Sequence, residues 1–149
     1  AYPVRQLDLV MSMISIYREW GWMPKWELYG RETFTMEGDP AIPVITDTYL
    51  KGLKDIDIDT AYEAFVKSAT TEGAKNRMRP DNDPYMKDGY IPLGYFAADF
   101  SGDNSVSHAL EYYVADNALS LLAAHLGHAE DAKLFSDRAL NYKHYYSRE

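Results

Sequence analysis

Apolar side chains recur along most of this chain at steps of three and four residues, and that period commits it to helices. Val4, Leu7, Met11, Ile14 and Tyr17 form one such stripe, on a helix expected to end near Gly21. A second helix is bracketed by Gly38-Asp39-Pro40, read as an acidic cap followed by Pro at the first helical position, and by Gly52 just past its end. Thr60 and Glu63 have capping-box spacing and open a third helix through Ala64, Phe65, Ser68 and Ala69. The fourth starts near Ser105, carries Leu110, Tyr113, Asn117, Leu121 and Ala124 on one face, and stops at Leu126-Gly127. The fifth shows Ala132, Phe135, Ala139, Tyr142 and Tyr146 at the same steps. Only a few residues join these last two helices, so they must be antiparallel neighbours. The fold class is all-α, built from antiparallel helical hairpins with long loops on one side.

Two connections break the pattern. Residues Trp20 to Asp39 and Gly73 to Asn104 are rich in Gly, aromatic and charged residues. Loops this long are uncommon in compact domains and usually carry function. Short strands or 3₁₀ turns fit inside either. In the second, turn formers cluster at Arg79-Pro80-Asp81-Asn82-Asp83-Pro84 and again at Lys87-Asp88-Gly89.

Glu111 is the residue that points to chemistry. It falls a few residues into the fourth helix, just downstream of the loop Tyr90-Ile91-Pro92-Leu93-Gly94-Tyr95-Phe96. A carboxyl so placed suits proton transfer to a sugar oxygen. An acidic residue near a helix start is also, commonly, no more than a partner of the helix dipole. Composition narrows the choice. A chain of 149 residues can bury a real core, and a net charge of −8 argues against a nucleic-acid partner. Without cysteine there is neither a disulfide nor a thiolate metal site. No apolar run approaches the roughly 20 residues that span a bilayer. The 13 Tyr and 3 Trp are the one oddity, since aromatic faces stack on sugar rings as well as fill cores. The opening Ala1-Tyr2-Pro3 has neither initiator Met nor signal peptide, so the chain reads as a piece of something longer.

Several runs resemble glycoside hydrolase family 92. They are Gly21-Trp22-Met23-Pro24-Lys25-Trp26, then Glu32-Thr33 with Met36, Gly38 and Asp39, then the stretch from Ile42 to Gly52. Gly89-Tyr90-Ile91-Pro92, Ser105-Val106-Ser107 and Leu110-Glu111-Tyr112 follow, and Leu126-Gly127, Asp131-Ala132, Phe135, Arg138 and Asn141-Tyr142 complete the order. The resemblance covers essentially the whole chain.

It implies a calcium-dependent, exo-acting α-mannosidase that inverts configuration, with a mannose-containing glycan as substrate. It further implies an N-terminal β-sandwich followed by an (α/α)6 barrel, of which residues 1–149 would be the middle section, its partners being the rest of the same polypeptide. Glu111 takes the place of the general acid. The base, an aspartate in a Gly-Asn-Asp-type motif, and most calcium ligands would lie further downstream, so these residues alone would be inactive. Export to a bacterial periplasm or cell surface is implied as well. The competing expectation is a non-catalytic helical module that binds carbohydrate or protein on the same scaffold.

The substrate-binding candidates each carry a second reading. Trp22, Lys25 and Trp26 form either a stacking wall with a hydroxyl-binding cation or a packed plug between helices. Asp39 is a helix cap first, and a ligand only if it also faces the cleft. Glu32 and Tyr90 are candidates through the resemblance alone. His108 departs from the family pattern and reads as an exposed helix histidine, with a substrate contact as the second reading, and Asp116-Asn117 departs from it too. His125, His128 and His144 show no i,i+4 pair, so no histidine metal site is assigned.

Overall fold

The computed structural model describes residues 2–79, 89–97 and 104–146, and six α-helices fall within them. The turn-forming residues from Pro80 to Asp88 lie outside the described residues. Helix α1 spans Pro3–Trp20, α2 Ala41–Leu50, α3 Ile58–Thr70, α4 Tyr90–Leu93, α5 Ser105–Leu126 and α6 Ala129–Ala139, the last continued by a 3₁₀ segment, Leu140–Tyr145. A two-residue hairpin lies in the first long connection, β1 (Glu27–Leu28) pairing antiparallel with β2 (Arg31–Glu32). Leu28 faces Arg31 in this ladder, and Tyr29-Gly30 makes the turn with both residues at positive φ.

Helices α5 and α6 form the expected antiparallel hairpin. Gly127 closes α5 with φ 87°, a left-handed value that a Cβ would strain, and its N–H returns to the last turn. Helix α2 packs across α5, while α1 lies against both α2 and α3. Their shared core holds Val10, Ile14, Ile42, Ile45, Phe65, Leu119, Leu122 and Phe135, all withdrawn from solvent. Burying each such side chain contributes about 1.5–3 kcal/mol before entropy is counted. A smaller aromatic cluster of Tyr90, Phe96, Tyr112 and Tyr113 fills the end of α5 near its N-terminus.

Three local expectations change. Asp39 does not cap α2 through its side chain: Pro40 occupies the cap position, and only the Asp39 carbonyl receives the Ile42 N–H. The third helix opens at Asp57 rather than at a Thr60–Glu63 box. Asp57 accepts from the Thr60 N–H at 3.2 Å and from its hydroxyl at 2.8 Å, while Glu63 instead accepts from the Tyr17 hydroxyl. Asp57→Ala is expected to cost about 1 kcal/mol, read as a lower urea midpoint at unchanged slope. The face assigned to the fourth helix is also rotated. Leu110, Asn117, Leu121 and Ala124 are exposed, and the buried side runs through Ala109, Tyr112, Asp116, Leu119 and Ala123. Apolar residues surround α5 on every side, so their spacing fixes its length but not its phase.

Candidate active site

The two long connections meet over the N-terminal half of α5. Lys25 Nζ, from the first, donates to the Met78 carbonyl of the second at 2.5 Å and stands 6.0 Å from the Tyr112 ring centroid. Burial pushes the Lys25 ammonium down to about 8, against the pull of Asp39 and Glu32. Glu32 is buried and organises the hairpin: its carboxylate accepts from the backbone N–H groups of Lys25, Trp26 and Phe34 at 2.5, 2.7 and 2.6 Å. Such a three-donor nest fixes the path of the loop.

Glu111 lies on the second turn of α5, exposed to solvent along one side. Its other side abuts Gly38. A Cβ added to Gly38 would come within 3.1 Å of Glu111 Cβ and 3.3 Å of its Oε2, and Gly38 holds φ +84°. Two independent demands therefore make position 38 a glycine. One turn before Glu111, His108 Nε2 stands 3.2 Å from Glu37 Oε1, so His108 is partly buried and paired, not the exposed histidine expected. Burial lowers its pKa, Glu37 opposes that, and Lys25 adds to it. Its ring also leans toward Phe96 and Tyr112. Lys25, Glu37, His108 and Glu111 thus gather where the loop Glu37-Gly38-Asp39 crosses α5.

The other expected residues scatter. Trp22 carries the Lys67 ammonium 4.5 Å from its ring centroid, and that ammonium also donates to the Gly21 carbonyl. Trp26 is 46% exposed. Tyr90 is fully buried, and its hydroxyl donates to Asp116 Oδ2 at 2.9 Å. Asp39 is 2% exposed, taking hydrogen bonds from the Ser68 hydroxyl and from Arg79 Nε.

Beneath this surface lies a network that the sequence reading missed. Arg79 Nη1 donates to Asp116 Oδ1 at 2.6 Å, and Arg138 reaches the same carboxylate through Nε at 2.6 Å and Nη2 at 2.8 Å. With Asp39 this makes two carboxylates and two guanidiniums, all buried and formally neutral as a set. Burial alone would raise the Asp116 pKa, but Arg79 and Arg138 outweigh it and hold the carboxyl below its ordinary range. Asp39 Oδ1 and Arg79 Nη2 have no hydrogen-bond partner among the described residues. The signal was present: Asp116 falls four residues after Tyr112 and three before Leu119, inside the buried stripe once its phase is known.

No group of three or more His, Asp or Glu among the described residues is arranged to hold a metal ion. Asp39 and Asp116 are paired with guanidiniums, and Glu32 with backbone N–H groups.

The whole chain, residues 1–149, matches the model of the glycosyl hydrolase family 92 catalytic domain. This chain belongs to glycoside hydrolase family 92. It superposes on a family 92 inverting mannosidase of Bacteroides thetaiotaomicron with a TM-score of 0.80 at 26% identity, covering 98% of this chain and 19% of that one. A family 92 α-mannosidase of the same bacterium gives 0.79 at 31% identity over 95% of this chain and 18% of its own, and has also been solved with mannoimidazole bound. An uncharacterised secreted glycosidase of the fungus Arthroderma benhamiae is 32% identical over 132 residues, 80% of this chain and 16% of that protein. The chain therefore spans less than a fifth of each relative. The all-α class and the antiparallel hairpins stand as sections of an (α/α)6 barrel, the fold of these catalytic domains. The family is calcium-dependent, and no calcium site occurs among the described residues.

Proposed function

We propose that the protein containing this chain is an α-mannosidase that removes terminal mannose from glycans with inversion, and that Glu111 is its general acid. The observation that supports this most is the placement of Glu111. Its carboxyl is open to solvent on one side and bounded by Gly38 on the other, at the crossing where Lys25, Glu37 and His108 gather. A leaving glycosidic oxygen can approach such a carboxyl from the open side and take a proton from it.

Inversion needs a second carboxylate, about 6.5–9.5 Å away, to activate water on the far face of the sugar. No described carboxylate near Glu111 suits that role, because Asp39 and Asp116 are buried in ion pairs and Glu37 faces His108. The base is assigned to the part of the barrel outside these residues, and so are the calcium ligands. Calcium, where bound, supplies a Lewis-acidic partner for sugar hydroxyls. Within this stretch the exposed residue Trp26 is assigned a stacking role, and Lys25 that of a cation at the rim. Glu32, Asp39 and Tyr90 shape the loops that carry these groups. Export is proposed too, in keeping with the secreted fungal relative, and no helix among the described residues is long and apolar enough to cross a membrane.

The test is the anomer of the product. The full-length enzyme, given an α-linked mannobiose and followed by proton NMR from the first minute, is expected to release β-mannose that later mutarotates. Initial release of α-mannose would rule out the single-displacement reading, and no release from any α-mannoside would favour a binding module.

A further inference from the structure

Arg79 is not part of the reaction just described, yet it is among the most deeply buried side chains of the molecule. Burying a guanidinium is costly unless it is paired with carboxylates, which makes its partners informative. On one side Arg79 Nε holds Asp39 Oδ2 at 3.3 Å, and on the other Nη1 holds Asp116 Oδ1 at 2.6 Å. Asp39 directly follows Gly38, the residue beside Glu111 at which a Cβ would not fit. Asp116 lies five residues beyond Glu111 on the same helix. One guanidinium thus ties the crossing loop to the helix that it crosses.

The rest of the network stiffens both ends. Ser68 of α3 donates to Asp39, and Arg138 of α6 grips Asp116 with two nitrogens while its Nη1 donates to the Ala69 carbonyl at 2.9 Å. Arg79 is itself seated by Asn76, whose side-chain oxygen accepts from the N–H groups of Met78 and Arg79, each at 2.9 Å. Rigid helices therefore hold each carboxylate, and the bridge between them sets one distance: the height of Gly38 above Glu111.

We infer that Arg79 is a positioning residue, which fixes the Gly38 turn against α5 and thereby limits where the Glu111 carboxyl can stand. The inference rests on the reading of Glu111 as the general acid. The Gly38 backbone lies so near Glu111 that an added Cβ would stand 3.1 Å from Glu111 Cβ and 3.3 Å from its Oε2. A shift of the turn by about an ångström therefore changes the positions open to that carboxyl. Misplacement on this scale costs proton transfer far more than it costs binding.

The experiment uses the full-length enzyme and two substrates. One is an α-mannobiose, whose leaving group needs a proton, and the other is dinitrophenyl α-mannoside, whose leaving group does not. Arg79→Lys keeps the charge but cannot span both carboxylates. It is expected to lower kcat on the mannobiose by about tenfold or more while kcat on the aryl mannoside stays within about threefold. In a Glu111→Gln background the same substitution is expected to add no further split between the substrates. Ser68→Ala loosens the Asp39 end of the clamp without removing a buried charge or touching Glu111, and it carries the test alone if Arg79→Lys does not fold. It is expected to show the same split. Equal losses on both substrates in these variants, beside a clear split in Glu111→Gln, would overturn the clamp and leave the acid in place. No split in Glu111→Gln itself would remove the acid, and the clamp with it.

Discussion

Glu111→Gln in the full-length enzyme is expected to lower kcat on unactivated α-mannosides by about 10²–10⁴-fold, the contribution usual for a positioned general acid. The amide keeps the shape and size of the carboxyl but has no proton to transfer. With a sugar as leaving group, the departing alkoxide must then leave unprotonated, and the barrier rises accordingly. Dinitrophenolate departs without help, so dinitrophenyl α-mannoside is expected to lose no more than about tenfold. KM should change little, because a general acid engages the leaving oxygen rather than the ring hydroxyls. The surroundings make the substitution clean in structural terms. Glu111 is exposed on one side, it has neither an ion pair nor a hydrogen bond to a described side chain, and its contact with Gly38 involves atoms that Gln retains. Circular dichroism and the melting temperature should therefore match the parent. Equal losses on both substrates would assign Glu111 to binding or to structure.

The order of the five longer helices was legible in the sequence because punctuation is local chemistry, while the short α4, Tyr90–Leu93, fell inside a stretch read as loop. Gly21, Gly52 and Gly127 all stand at or just past helix ends with positive φ, where only glycine is free of strain. The antiparallel α5–α6 hairpin follows from the shortness of its turn. What failed depended on tertiary partners. Asp39 looks like a cap from its neighbours, but an arginine forty residues away claims its carboxylate. The Thr60–Glu63 spacing fits a capping box, yet Asp57 is nearer the helix start and Tyr17 offers Glu63 a better donor. The phase of α5 was hidden because a barrel helix is apolar on every side, and with it went the significance of Asp116. At the candidate site, the sequence singled out Glu111 and the two long connections, and Gly38 of the first lies beside it. The close approach of Gly38 and the pairing of Glu37 with His108 join residues some seventy positions apart, which no local pattern encodes.

Asp116→Ala is expected to be the most damaging single substitution for the fold, costing on the order of 3–5 kcal/mol in the full-length protein. The reason is an imbalance of charge rather than a lost contact. Asp116 is fully buried and receives Arg79 Nη1, both Arg138 Nε and Nη2, and the Tyr90 hydroxyl. Removing it leaves two guanidiniums facing each other with only Asp39 to answer them, in a setting where water cannot enter to compensate. Truncating Arg138 should cost less, since Arg79 would then remain for both Asp116 and Asp39. The network also predicts a dependence on pH. Asp116 has a folded-state pKa below its unfolded value, so its contribution is complete above the ordinary carboxylate range and is lost as pH falls through the depressed folded value. Stability should accordingly decline on acidification below about pH 4. Asp116→Asn, which keeps the shape but cannot ionise, should be less stable at neutral pH and should flatten that acid limb. Urea midpoints measured between neutral and strongly acidic pH for the parent and the Asn variant decide the matter, because a parallel pair of curves would show that Asp116 is not the group whose protonation loosens the fold.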